Sequence, residues 1–236
     1  MPMSSLRYEY KDRLPGIGGP TVQVVLADER SFFIYESLIC SSSRYFDAAL
    51  GSDWAEAQDR VIHLTEYPAH TFEIYMQWLF SNNVHSLGVV PDGHSTVLSE
   101  WSVLVEAYLL GDYIQDTKFK DTVIDAMFSC AINIPLSDDL QKPCMSADEI
   151  YHNTPRHSPL QRLVVDLTVA REGPGFWSEE HEYELPTAFL KDMLAELAIV
   201  AAGGFPLEPS EAPRLSCLCK YHCHGDDPCH RKEDVP

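Results

Sequence analysis

Seven side chains able to ligate a metal crowd into fourteen positions near the end of the chain: Cys217, Cys219, His222, Cys223, His224, Cys229 and His230. Zinc takes four thiolate or imidazole ligands in a tetrahedron, and that is the chemistry such a cluster could supply. The expected set is Cys217, Cys219, Cys223 and Cys229, with His222 or His224 replacing one of them. Against an ordered site, the Cys217-x-Cys219 step is tighter than the usual chelate spacing, and no second hairpin or helix frames the cluster. A tail that binds metal loosely is the competing expectation, so zinc is the only cofactor the residues suggest and none is required.

Other reactive side chains lack the company that catalysis needs. His181-Glu182 starts like a zinc-protease helix motif, but Leu185 stands where the second histidine ligand belongs. No Gly-x-Ser-x-Gly elbow is present to expose a nucleophilic serine. The cluster from Pro15 to Pro20, with Gly16, Gly18 and Gly19, looks like a phosphate cradle. Such a cradle must follow a strand and open a helix, whereas this one precedes an apolar run. Cys40 and Cys130 fall inside apolar patterns, where cysteine acts as a small hydrophobe. His63 and His70 flank a strand end and a helix start and read as surface or satisfied core groups. No acid and base are spaced to demand a reaction, so the chain is not expected to be an enzyme.

Charge narrows the choice of partners. Among 236 residues, 36 acidic side chains face 17 basic ones, for a formal net charge of −19. A chain this acidic repels a phosphate backbone, and no Lys/Arg stripe reverses that locally, so direct nucleic-acid binding is not expected. No apolar run is long enough to span a bilayer, and the first residues lack the apolar core of an export signal. Seven unevenly spread cysteines then suggest reduced thiols rather than a disulfide framework, with the cytoplasm or nucleus as the expected location.

The elements that would position these groups follow from periodicity. Residues 22–26 and 31–35 read as β-branched and aromatic strands across a short turn at Asp28, and 61–64 as a third strand. Between them, Leu38, Ile39, Tyr45, Phe46, Ala49 and Leu50 suit two short helices. Three longer amphipathic helices are predicted. The first spans 71–81 through Phe72, Tyr75, Met76, Leu79 and Phe80; the second spans 98–110 through Trp101, Leu104, Val105, Tyr108 and Leu109. The third spans 117–131 through Phe119, Val123, Ile124, Met127 and Phe128, and residues 86–95 form a loop. Pro135 and residues 137–146 break the pattern. A helix then starts after Pro159 with Leu160, Leu163, Val164 and Leu167, and another after Pro186 with Phe189, Leu190, Met193, Leu194 and Leu197. This divides the chain into a lead-in (1–20), an α/β domain (21–131), a linker with helical extension (132–203) and a Cys/His-rich tail (204–236).

Two strands, two short helices, a strand and three amphipathic helices, in that order, resemble the BTB/POZ domain. The matching residues are Phe33-Ile34 running into Ser37-Leu38-Ile39, Ser41-Ser42-Ser43-Arg44-Tyr45-Phe46, Trp54-Ala55-Glu56-Ala57 and Val61-Ile62-His63-Leu64. Phe72, Tyr75, Trp78-Leu79-Phe80 and the Glu106 to Tyr113 stretch continue the match. Downstream, Tyr151-His152-Asn153-Thr154-Pro155 and Ser158-Pro159-Leu160-Gln161-Arg162-Leu163 are similar to the fungal branch of that family. The resemblance implies an α/β (α+β) fold with a small mixed sheet covered by amphipathic helices and a helical C-terminal extension.

It also implies a protein-binding function. BTB proteins that recruit cullin scaffolds into ubiquitin ligases often carry a hydrophobic-x-Glu motif after the second short helix, in which the large residue fills a groove on the cullin and the acid orients it. Trp54 and Glu56 stand at the matching positions, with residues of the 86–95 loop beside them as further expected contacts. Trp here replaces the smaller residue common in the family, and packing of Trp54 on the domain's own helices is the alternative. The wider expectation is therefore an interaction module: an adaptor for a cullin ligase, or a transcription-associated or scaffolding protein acting through partners. The family's swapped homodimer needs an extra helix and strand, which Pro15 to Pro20 do not resemble, so that dimer is not expected. The strand at 22–26 is expected to be available at a sheet edge.

Overall fold

The computed structural model describes residues 18–51, 58–90, 98–133, 143–171, 184–202 and 218–223. Within them the chain is a mixed α/β structure, a small mixed sheet against a larger body of helices. Strand β1 (Thr21–Leu26) and strand β2 (Ser31–Tyr35) form an antiparallel hairpin in which Val24 faces Phe32. Its turn places Glu29 at φ 64 and is closed by Leu26 N–H on the Arg30 carbonyl at 3.0 Å. The Arg30 side chain returns to Asp28 at 2.7 Å.

A parallel partner for β1 requires the chain to cross over, and a pair of short helices makes the crossing. Helix α1 (Glu36–Ser42) leads directly into α2 (Arg44–Leu50), and β3 (Val61–Leu64) then lies parallel to β1 with Val24 opposite Ile62. The order β2-β1-β3 puts β1 in the middle of the sheet, so the expectation that residues 22–26 lie at an edge is corrected. The reason is the crossover: β2 bonds one side of β1 antiparallel, and the returning β3 takes the other side in parallel. Among the described residues, β2 and β3 form the sheet edges.

Three long helices follow, near the predicted positions: α3 (Ala69–Ser81), α4 (Glu100–Tyr113) and α5 (Thr117–Asn133). Helix α3 ends where Asn82 takes the left-handed conformation (φ 54) and its N–H bonds the Trp78 carbonyl at 2.7 Å. Tyr75, Trp78 and Phe119 form an aromatic knot, with ring centroids 5.0 Å apart for Tyr75–Phe119 and 5.1 Å for Trp78–Phe119. Each such pair contributes about 0.5–1.5 kcal/mol beyond the area it buries. Helices α4 and α5 approach closely at Gly111, where a Cβ would come within 2.9 Å of Lys120 Cγ and 3.0 Å of Phe119 Cδ1.

The extension joins the same continuous core. A 3-10 turn, Pro143–Ser146, buries Cys144 completely, so the end of the 137–146 stretch read as a pattern break is packed structure. Helices α6 (Ala147–Asn153), α7 (Pro159–Arg171) and α8 (Thr187–Ala202) follow. No described helix is long and apolar enough to cross a membrane.

Candidate functional site

The Ser-rich motif between β2 and α2 acts as a clamp. Ser43 caps α2, accepting from Phe46 N–H at 3.2 Å, while its hydroxyl donates to the Ile114 carbonyl at the end of α4. Ser42 donates to Asp116 Oδ2, which also accepts the Tyr75 hydroxyl at 3.0 Å. Asp116 Oδ1 accepts Phe119 N–H at 3.0 Å in the first turn of α5. One buried carboxylate thus ties α1, α3 and α5 together. Burial pushes its carboxyl above the ordinary range, and the hydrogen bonds from Ser42, Phe119 and Tyr75 oppose that shift. A similar tie joins α3 to α4, where Glu106 Oε2 meets His70 Nε2 at 2.9 Å and the Thr71 hydroxyl at 2.8 Å.

Trp54 and Glu56 lie outside the described residues, as do His181 and Glu182. In the described part of the 86–95 loop, Leu87 is 81% exposed and Val90 is also exposed. Ser86 is buried and donates to Glu100 at 2.7 Å. A cleft of about 460 Å³ opens there between this loop and α5, with Glu100 and Cys130 in its wall. Burial, with Glu100 adding to it, pushes the Cys130 thiol up to about 12, so it stays protonated. Cys40 is held up to about 11, mainly by burial.

The tail carries the least expected arrangement. Residues Leu218–Tyr221 form a 3-10 turn seated against α5 and α7, with Leu218 and Tyr221 buried. The turn is fastened by charges. Tyr221 and Lys220 reach Asp166 Oδ2 at 2.5 and 2.6 Å, and Arg162 donates to the Lys220 carbonyl at 3.0 Å. His222 Nε2 lies 3.1 Å from Asp125 Oδ1, and Cys223 N–H donates to Asp121 Oδ1 at 2.6 Å.

Three of the six residues expected to bind zinc are described, namely Cys219, His222 and Cys223; Cys217, His224 and Cys229 lie outside the described residues. The three share one turn of chain, but His222 is directed inward onto Asp125. Burial raises the Cys223 thiol despite the nearby Lys120 ammonium. Among the described residues no three His, Cys, Asp or Glu side chains converge to hold a metal ion.

No family model matches the chain, and no curated protein matches it.

The junction between α6 and α7 was visible as a motif but not as a structure. Ser158 caps α7 by accepting Gln161 N–H at 3.2 Å, and Pro159 occupies the first helical position. The Gln161 side chain reaches back, accepting His157 N–H at 2.8 Å and donating to Thr154 Oγ1 at 3.0 Å. This resembles a capping box, except that the glutamine takes the N–H of His157, one residue before the cap, while Ser158 N–H bonds the Pro155 carbonyl; Thr154 extends the cluster, its hydroxyl bonding the Ile150 carbonyl at 2.7 Å. The junction sets the angle of α7 against α6, and α8 lies across both. Together with the tail turn these helices enclose a second cleft, of about 430 Å³. Sequence reasoning missed it, because its walls come from segments up to 70 residues apart, Tyr151 to Tyr221.

Proposed function

We propose that this chain is a non-enzymatic protein-interaction module of the BTB/POZ type. The observation that carries the reading is the path of the chain: a β1–β2 hairpin, a helix pair crossing over, β3 returning parallel to β1, then three packed helices. That is the element order which the sequence motifs suggest, and the Ser41-to-Phe46 motif serves it as a clamp rather than as a reactive group. The polar clusters support binding over catalysis in kind: Asp116 and Glu106 are occupied in tying helices to each other. Large exposed apolar side chains, Phe33 at 65% and Leu87 at 81% among them, are available to a protein partner.

The partner proposed first is a cullin scaffold, held through Trp54 and Glu56, in a cytoplasmic or nuclear ubiquitin ligase. Titrating the purified chain with purified cullins tests it. Trp54→Ala is expected to weaken binding by about tenfold or more, as loss of a central aromatic does. Equal binding by wild type and Trp54→Ala would remove the site, and no binding to any cullin would remove the adaptor role. Recovery of chromatin proteins instead, by affinity purification from native cells, would favour transcription-associated scaffolding.

A further inference from the structure

The tail turn sits on α5 and α7 as a short peptide sits on a receptor. Leu218 and Tyr221, three positions apart in a 3-10 turn, fall on one side of it, and both are buried. His222, at the next position, is buried as well. Anchors at this spacing are how a short helical segment is held in a groove between helices.

The groove reads main chain as well as side chains. On α7, Arg162 donates to the Lys220 carbonyl at 3.0 Å, and on α5, Asp121 accepts the Cys223 N–H at 2.6 Å. One wall thus offers a donor, and the other an acceptor, to a backbone laid along this path. Side chains are met by two further acids. Asp166 Oδ2 takes the Tyr221 hydroxyl at 2.5 Å and the Lys220 ammonium at 2.6 Å, and Asp125 Oδ1 lies 3.1 Å from the His222 ring. Asp121 and Asp125 are buried with the turn in place. Carboxylates covered in this way require donors from whatever covers them, so the groove selects an occupant that brings basic and hydroxyl groups in this order.

We propose that the α5–α7 face is a docking groove for a short segment of a partner protein, and that the tail turn is its built-in competitor. The segment carries the chemistry of the resident turn: an aliphatic residue, a tyrosine three positions later, a lysine before that tyrosine and a histidine after it. Charge favours such a partner, since the molecule carries −19 overall and the groove side chains that meet Lys220 and His222 are acids. Residues 203–217 join the turn to α8, so its docking is intramolecular, at an effective concentration on the order of millimolar. An outside segment with a dissociation constant of about 0.1 mM is then held back about tenfold. The rim contact is the place where displacement starts, because the Lys220 side chain is 52% exposed and Asp166 17%. The groove is separate from Trp54 and Glu56 and does not depend on the cullin proposal.

The test is fluorescence anisotropy of a labelled, end-capped peptide of residues 216–224, with serine in place of its cysteines, titrated with the full chain. Wild type is expected to bind it weakly. The Leu218→Ala, Tyr221→Ala variant, whose own turn lacks both anchors, is expected to bind it about tenfold more tightly or better. Adding Asp125→Asn and Asp166→Asn to that variant should return the affinity to the wild-type level or below. Should the double variant fold poorly, Lys220→Glu replaces it, since this half-exposed side chain would then set a like charge against Asp166. That variant is expected to gain about threefold in peptide affinity. Equal affinity of wild type and the released variants, no binding by either released variant, or binding indifferent to the Asp125 and Asp166 changes would each overturn the proposal. A wild-type dimer that grows with concentration in sedimentation, and is lost on Leu218→Ala, Tyr221→Ala, would make a second copy the outside occupant and overturn the assignment to a partner protein.

Discussion

Asp116 and Asp166 each accept a tyrosine hydroxyl and a second donor on the same oxygen, yet they hold different kinds of structure. Asp116 is fully buried, and its donors come from α1, α3 and α5, elements that also share a hydrophobic core. The Asp166 side chain is 17% exposed, and its donors are Tyr221 and Lys220, from a four-residue turn 54 and 55 positions away. A buried hydrogen-bonded carboxylate is costly to lose because its donors are left without water. A rim carboxylate loses less, because solvent replaces it. The difference suggests that the first cluster is part of the fold and the second is a fastening that opens without unfolding the rest.

The largest expected effect follows from breaking the buried member. Asp116→Ala strands the Ser42 and Tyr75 hydroxyls and the Phe119 N–H together, and should cost about 3 kcal/mol of global stability in denaturant unfolding. A loss under about 1 kcal/mol would contradict the hub. Next is the junction that shapes the extension. Ser158→Ala should cost about 1 kcal/mol, and Gln161→Ala combined with it should cost less than the sum, because the two side chains share the Thr154 hydroxyl in one hydrogen-bonded cluster. Strict additivity in that double-mutant cycle would count against the cluster.

Asp166→Asn probes the rim member. Global stability should change by less than about 1 kcal/mol, while the Cys223 amide, bonded to Asp121, should lose protection from hydrogen exchange well before the α5 amides do. Simultaneous loss in the turn and in α5 would make the two regions one cooperative unit and erase the contrast.

The finest test is pH. Burial raises the folded-state pKa of Asp116 above its ordinary value of 3.8, so the folded state binds that proton more tightly than the unfolded chain does. As pH falls through the raised value, wild type should gain stability relative to Asp116→Asn, and the difference should level off below 3.8. Unfolding curves for both proteins across that range check the sign, and a gain on raising pH would contradict it.

Most of the fold of the first region was legible in the sequence. Val22, Val24 and Leu26 alternate as a buried strand does, and Phe72, Tyr75 and Leu79, or Phe119, Val123 and Met127, recur as a buried helix face does. Local repeats of this kind report burial directly, so strands and helices appeared close to where they were expected. The position of β1 within the sheet was not legible, since an alternating strand looks alike at an edge and in the centre until its partners are known. Lys120, Asp121 and Asp125 were misleading in the same way. They interrupt the apolar stripe of α5 and look like a solvent face, but they are buried because Tyr108 and the tail turn lie against them.

The second region depended more on tertiary structure. The sequence by itself determined that Ser158, Pro159 and Gln161 start a helix, because capping is decided within one turn of chain. It also determined the acidity of the molecule and the presence of thiols and imidazoles near the end. Only the tertiary structure decided that His222 faces Asp125, 97 positions away, and that Asp192 and Glu196 share a cleft with Lys220 and Tyr221. Those arrangements rest on contacts between distant segments, whose loop-closure cost is met by burial of Leu218 and Tyr221, and no local pattern encodes which distant surface will receive them.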